Sequence, residues 1–487
     1  MKLLLNSASV VVLAFVLTAC ATTPPQPVKP GDMPQAYTAP MAAEVKDQVS
    51  TEWWKGFSSP ELTAFIEEAH SGNLDMAAAA ARVLQAQAQA GVATSALFPD
   101  VSVTAAAERD GSRRPPAPGT ANVFGLTGAA SYELDFWGES ANNLRAARHS
   151  SRAAIYAEDV VRLTTEANVA NGYFAVLALR ERIDIARKND EAAKRILAIT
   201  QAKVDNGVLS NLELAQQTAQ VLGVEAQIPH LEEQEREARY ALAILLGRTP
   251  EALKVEGDTL EGIAAPPVTP GLPATLLTRR PDVTEAEESL LAAHANLDAA
   301  RAAFLPAIGL SANGGWQQNV ISGLINPGNL AWSIGAQVVQ SIFDGGRLTS
   351  ERDIAKGREA ELVADYRAAV LNALSDTETQ IGSVASYGEQ ERLTAEEVAN
   401  AAEAFRISEL QYREGVIDLL TVLQAQQTLF TSQDTLIQIK LARLQSGVGL
   451  YRALGGGWST ATDADKDLRN TFVPVPDLTD LPIGSPF

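Results

Sequence analysis

Hydrophobic and polar positions along this chain follow two periods, and the switch between them is abrupt. In "YELDFWGES" (132–140), Tyr132, Leu134 and Phe136 alternate with smaller or polar residues, as in a strand. After Gly138 the chain reads "ESANNLRAARHSSRAAIYAEDVVRL", rich in Ala and charge, with the period of a helix. "QSIFDGG" (340–346) makes the same switch 207 residues later, with Phe343 on Phe136 and Gly345 on Gly138. Gly138 and Gly345 are therefore expected at two equivalent strand-to-helix joints, where a glycine permits the bend.

Two stretches almost free of Pro and Gly follow these joints, 139–205 and 346–413. Leu163, Ala167, Ala170, Phe174 and Leu177 in the first match Val370, Leu374, Thr377, Ile381 and Val384 in the second, at the 4-3-4-3 spacing of a coiled-coil seam. Each stretch predicts a helix about 100 Å long. "NGV" or "EGV" then turns the chain, and a shorter helix returns over 210–246 or 418–454, ending at "LLGRTP" or "LGGG". A further helix precedes each strand pair, over 73–98 and 282–304. Stacked end on end with the returning helix, it would match one long helix. Pro99 and Pro306 close these first helices. Two strands come next in each half: "DVSVTAAAERD" and "VFGLTGAASYELDF", then "AIGLSANGGWQQN" and "LAWSIGAQVVQSIF".

The halves are an internal repeat. "ALFPDVSVTA" (96–105) pairs with "AFLPAIGLSA" (303–312), the "NGV" turn with "EGV", and "LLGRTPE" (245–251) with "ALGGGWS" (453–459). Repeat 1 is expected over 51–262 and repeat 2 over 263–458, followed by a polar, Pro-rich tail, 459–487. The fold class is mixed α and β, with four strands per chain. Four strands cannot close a barrel, and an open edge is prohibitive in lipid. If the chain spans a membrane it must associate, two copies giving eight strands and three giving twelve.

The first residues place the chain. "MKLLLNSASVVVLAFVLTAC" has one basic residue, an apolar stretch too short for a typical spanning helix, and small residues before Cys20, the only cysteine. Residues 1–19 read as a lipoprotein signal peptide and Cys20 as the lipid attachment site. Ala21 in place of Asp directs the mature chain to the outer membrane, anchored there through the acylated Cys20. Residues 20–50, Pro-rich, then form an extended tether. The net charge of −20 argues against a nucleic-acid partner and fits either a solvated acidic surface or a cation-favouring conduit. No enzyme is expected. His70, His149, His230 and His294 are scattered, and no HExxH, GxSxG, Walker-type or GxGxxG pattern occurs. No cofactor or metal site is expected.

The repeat, the lipobox, "WWKGFSSPEL" (53–62), "RRPDVTEAEESLLAAHANL" (279–297) and "YREGVIDLLTVLQAQQTL" (412–429) together resemble the TolC-like outer-membrane factors, in the lipoprotein branch of OprM and NodT type. The resemblance covers about residues 50–460. It implies a homotrimer with a twelve-stranded barrel, continued by an α-helical tunnel that projects into the periplasm. It also implies two partners, a periplasmic adaptor (membrane fusion protein) and an inner-membrane pump of RND type.

By match to the family's hairpin tips, Gly207, Val208, Leu209, Ser210, Gly415, Val416 and Ile417 would contact the adaptor. Asp418, Leu420, Gln424 and Glu213 would be gate positions. The family often has an acidic residue where this chain has Gln424, so the gate would be less charged, or Glu213 would substitute. The competing reading makes them ordinary coiled-coil surface and caps. The function implied is a passive exit duct for small molecules such as drugs. Alternatives are type I protein secretion, metal efflux, or a non-conducting coiled-coil envelope lipoprotein.

Overall fold

The computed structural model describes residues 33–39, 50–112, 119–267 and 270–458. A 3-10 turn at Trp53–Phe57 opens the folded part, followed by α1 (Pro60–Gly72) and α2 (Leu74–Ser95). Then come β1 (Asp100–Ser112), β2 (Gly119–Leu134), α3 (Glu139–Asp205) and α4 (Asn211–Leu245). The second half repeats the order with α5 (Pro281–Ala302), β3 (Ala307–Gln318), β4 (Leu330–Val339), α6 (Arg347–Arg413) and α7 (Leu419–Ala453). Both long helices have 67 residues. At 1.5 Å per residue each spans about 100 Å.

The strands form one antiparallel sheet in the order β1-β2-β3-β4. Its register sorts the residues onto two faces. Val101 pairs with Ala130, Val103 with Gly128, Leu126 with Trp316, Tyr132 with Leu310 and Ala312 with Ile334, so one face is apolar. Ser102 pairs with Ala129, Thr104 with Thr127, Ser131 with Ser311 and Asn313 with Ser333, so the other is small and polar. This is the alternation of a sheet with one face in lipid and one in water. β1 and β4 are both edge strands, and neither has a second partner among the described residues.

The helices pack side by side into a wall. α3 packs on α2, α4, α5 and α7, and α6 packs on α5 and α7. The expected end-on stacking is present in both halves. Asn73, the N-cap of α2, donates its side-chain amide to the carbonyl of Leu245, the last residue of α4, at 2.8 Å. Arg280, the N-cap of α5, donates from its guanidinium to the carbonyl of Ala453, the last residue of α7, at 3.2 Å. Arg280 also pairs with Asp282 and Asp376. Gly247 (φ 71°) and Gly455 (φ 86°) make the close approach possible, since a Cβ on either would strike the backbone of Gly72 or Arg279.

The main core lies about midway along α3. Trp53, Phe57, Leu62 and Ile66 pack there against Ala170, Phe174, Leu177, Leu246 and Val448. Trp53 stacks on Tyr451 with ring centroids 5.4 Å apart. Of the seam residues, Ala167, Ala170, Phe174 and Leu177 are buried in this core. Val370 and Ile381 are buried in a second core, with Leu374 and Val384 packed against it.

Three expectations need correction. The helix start equivalent to Gly138 is Gly346 rather than Gly345: Gly138 (φ 80°) caps α3 and Gly346 (φ 88°) caps α6. Gly345 (φ 68°) is an added residue before that cap, and it moves the repeat offset from 207 to 208. Both helix starts are held by a carboxylate. Asp135 accepts from the N–H groups of Ser140 and Ala141, and Asp344 from those of Gly346 and Leu348. Secondly, the last strand ends at Val339, because "QSIF" lies in the joint and not in the sheet. Thirdly, the tether is docked at 33–39. Met33 is buried in the second core, and the Glu378 carboxylate accepts the N–H groups of Thr38 at 2.7 Å and Ala39 at 3.0 Å. Cys20 and the signal stretch lie outside the described residues.

Candidate functional site

The two hairpin ends are built alike, 208 residues apart. α3 ends in a left-handed Gly207 (φ 70°), with Gly207 N–H on the Val204 carbonyl at 2.8 Å and Val208 N–H on Lys203 at 2.9 Å. α6 ends in Gly415 (φ 76°), with Gly415 N–H on Tyr412 at 3.1 Å and Val416 N–H on Gln411 at 2.8 Å. These bonds satisfy carbonyls that a helix end leaves open. The next helices start with side-chain caps. Ser210 and Glu213 form a capping box on α4, and Asp418 accepts from the N–H of Thr421 at 2.9 Å and its hydroxyl at 2.7 Å.

These caps spend the charges expected at a gate. The Thr421 hydroxyl, and then its N–H, hold Asp418 below the usual carboxylate range. The Ser210 hydroxyl does the same for Glu213. Both carboxylates are ionised and engaged with their own helices. Gln424 is exposed, and its carbonyl accepts from the Thr428 hydroxyl at 3.0 Å.

The apolar tip residues divide in two. Leu209 and Ile417 pack against the core of Ile196, Tyr412, Leu419 and Val422. Val208 and Val416 are each 69% exposed, and Leu420 is 61% exposed. Leu212, at the position equivalent to Leu420, is 65% exposed and completes a set of four; the 208-residue offset would have found it.

One contact binds the two hairpins together near the tip, and no local sequence pattern marks it. The Tyr412 hydroxyl on α6 lies 2.9 Å from that of Thr200 on α3, both buried. Lys203 stands over the Tyr412 ring, 4.4 Å from its centroid, and donates to the Tyr412 carbonyl. Higher up, Arg182 on α3 forms an ion pair with Asp434 on α7 at 2.6 Å. Gln220 and Gln427 reach each other at 3.4 Å across a groove of about 340 Å³.

The two sides of the wall are unfinished. Leu84, Val92, Leu222 and Ile244 are exposed on the α2–α4 side, and Ile354, Leu371, Leu393 and Leu410 on α6. The sheet is open on the same two sides, at β1 and β4. An edge of one kind on one side and of another on the opposite side joins copies head to tail, and closes into a ring when the rotation allows. Among the described residues no helix is long and apolar enough to cross a membrane, and no group of three or more His, Cys, Asp or Glu could hold a metal ion. Trp332 is 73% exposed on the apolar face, whereas the Trp137 indole donates to the Pro306 carbonyl at 2.8 Å.

Comparison with known proteins agrees with this architecture. The pyoverdine export outer membrane protein OpmQ of Pseudomonas aeruginosa is 37% identical over 466 residues, covering 94% of this chain and 98% of its own. The cation efflux system protein CusC of Escherichia coli O157:H7 is 28% identical, covering 92% and 97%. The outer-membrane channel OprN superposes with a TM-score of 0.81 at 27% identity, over 90% of this chain and all of that one. The open state of the MtrE outer membrane channel of Neisseria gonorrhoeae gives 0.80 at 26% identity, over 90% and 98%. The sequence profile for outer membrane efflux proteins matches twice, over residues 65–248 and 272–456, once on each half of the repeat. The chain belongs to the outer membrane efflux protein family.

Proposed function

We propose that this channel exports small organic molecules and that the hairpin ends at 205–210 and 413–418 form its closable periplasmic mouth. Family membership makes the protein an outer-membrane exit duct that works as a trimer with a periplasmic adaptor and an inner-membrane pump. Three copies give twelve strands, enough for a bore, and continue the helical wall into a tube. Transport through such a duct requires no catalytic group, and the protein is read as a channel and not an enzyme.

The observation that carries the mouth is the matched pair of ends, each leaving two large apolar side chains uncovered: Val208 with Leu212, and Val416 with Leu420. Around a threefold axis such side chains can meet and exclude water, or rest on an adaptor. The groove between the hairpins, with Arg182, Gln220, Gln427 and Asp434 along it, offers the adaptor a polar seat. Cys20 is read as the acylated anchor; one relative is a probable outer membrane lipoprotein, SilC of Salmonella typhimurium.

For the cargo, two relatives favour an organic molecule: the pyoverdine export outer membrane protein OpmQ of two Pseudomonas species matches at 37% and 35%. Cation efflux relatives match at 28%, and the chain has only four Met to offer a copper or silver route. The test is deletion of the gene, with external siderophore and drug susceptibility measured together. Retained siderophore or raised drug sensitivity supports the reading. A metal-sensitivity phenotype alone would overturn it in favour of cation efflux.

A further inference from the structure

We propose that Arg109, with Asn122 opposite it, holds the phosphate of an outer-leaflet lipid against the outside of the barrel. The occupant is a phosphorylated glycolipid, one at each protomer. The inference goes beyond the duct reading. It needs the barrel to sit in the outer membrane, and it needs neither the cargo nor the closable mouth.

The register places Arg109 on the lipid side. Val101 and Val103 lie on the apolar face of β1, and the same alternation brings Arg109 to that face, opposite Asn122. Among the described strand residues, Arg109 is the only charged residue there, since every strand carboxylate falls on the other face. Arg109 is exposed and forms no ion pair among the described residues. A lone cation on a lipid-facing surface is costly at the bilayer centre and tolerated near the headgroups, so its height decides what it does.

The length of the apolar band fixes that height, independently of charge. β1 enters from α2 and β2 leaves into α3, so the helical end of the sheet is periplasmic and the far end is the outer one. At the periplasmic end the band starts with Leu134, Ile308 and Val338, which share a rung. Ten residues along β2 it stops at Phe124, whose partner on β3 is already polar, Gln318. Ten residues rise about 34 Å along a strand. A tilt of about 40° leaves about 26 Å across the membrane, and the apolar band of an outer-membrane barrel is about 25 Å tall. Hydrocarbon therefore ends at Phe124, with Trp316 one rung below it as an aromatic edge. The next rung outward is Arg109 with Asn122, at the level of the headgroups.

The chemistry of this rung matches a phosphate. A guanidinium presents paired N–H donors in a planar fork, which two phosphate oxygens accept together. Asn122 stands directly across the strand pair, about 5 Å away between Cβ atoms, and its amide can donate to the same group. A zwitterionic headgroup carries its own ammonium beside the phosphate. A phosphorylated sugar does not, so an uncompensated guanidinium favours the glycolipid. β1 is also an edge strand, so each site adjoins a seam between copies, and a trimer carries three.

The test is native mass spectrometry of the purified full-length trimer in detergent. It is titrated with bis-phosphorylated lipid A, with lipid A stripped of both phosphates, and with phosphatidylethanolamine. The expected result is retention of phosphorylated lipid A in preference to the other two, with affinity about tenfold lower for the stripped form and about tenfold lower in Arg109→Gln. Arg109→Lys keeps the charge without the fork and should fall between wild type and Arg109→Gln. An excess of inorganic phosphate should leave the lipid bound; displacement by it would overturn the assignment to a lipid. Equal retention of stripped and phosphorylated lipid A by wild type would overturn the inference and leave the band an unselective apolar surface. Equal retention of phosphorylated lipid A by wild-type and Arg109→Gln trimers would overturn it too. The comparison of lipids on wild type decides the matter even where a variant forms no trimer.

Discussion

The two ends of this protomer solve their backbone problem in opposite ways. At the barrel end, β1 and β4 leave whole rows of N–H and C=O groups without partners. In lipid each unmade bond costs several kcal/mol, so this end must be completed by other copies. At the hairpin ends the turns satisfy themselves, through Gly207, Gly415, the Ser210–Glu213 box and the Asp418 cap. There only side chains, chiefly Val208, Leu212, Val416 and Leu420, are left for a neighbour. A backbone seam in lipid cannot open without prohibitive cost. An apolar contact in water can. On the proposed reading of the hairpin ends as a closable mouth, this difference makes the barrel the fixed end and the mouth the movable one.

That contrast can be attacked at several points. Ser333→Pro with Ile334→Pro places a missing donor on the outer edge of β4 whichever way the pleat faces. The expected outcome is loss of trimers by size-exclusion chromatography in detergent, because several kcal/mol per unmade bond is lost at every seam. Next, Arg280→Met removes the guanidinium that splices α7 to α5, along with its bonds to Asp282 and Asp376. We expect a loss of about 2–3 kcal/mol, seen as a lowered denaturation midpoint. Asn73→Ala, which removes the neutral splice of the first repeat, should cost only about 1 kcal/mol.

Gly207→Ala and Gly415→Ala meet nothing within 4 Å, so their cost is the left-handed backbone alone, about 1 kcal/mol each. Faster hydrogen exchange confined to the tips, with trimers intact, is the expected reading. The smallest effect is that of pH. Asp418 and Glu213 have folded values below the ordinary one, so their contribution is present above the usual carboxylate range. It is lost as pH falls below the ordinary carboxylate range, through the depressed values. Tip exchange should rise there while the barrel stays protected.

The sequence carried the architecture further than it carried the mouth. The bounds of α3 matched the expectation at both ends, because Gly138 and the "NGV" turn punctuate a Pro-free run whose one internal glycine, Gly172, is carried within the helix. The end of β4 was misplaced, since "QSIF" continues an apolar pattern although the chain has already left the sheet, with Ile342 and Phe343 exposed in the joint. The repeat itself concealed one residue: Gly345 and Gly346 are alike in sequence, and only backbone geometry shows which one caps α6. Proline rules also had a limit, because α4 runs through Pro229 without a break, held by packing along α3. At the tips, the glycines and caps are local features and were legible. The Thr200–Tyr412 link joins residues 212 apart and has no local signature. The splices at Asn73 and Arg280 were invisible for the same reason.

The claim that the mouth moves while the barrel does not is tested most directly by the conductance of Tyr412→Phe. The substitution keeps the ring beneath Lys203 and removes only the hydroxyl that meets Thr200. Thr200 keeps its bond to the Ile196 carbonyl, so the loss is one hydrogen bond, about 1 kcal/mol per protomer. The account predicts a larger single-channel conductance or a higher open probability, with the same trimer yield and the same stability of the barrel. Wild-type conductance in a fully assembled Tyr412→Phe trimer, or a gain in conductance that requires loosening of the β1–β4 seam, would contradict it.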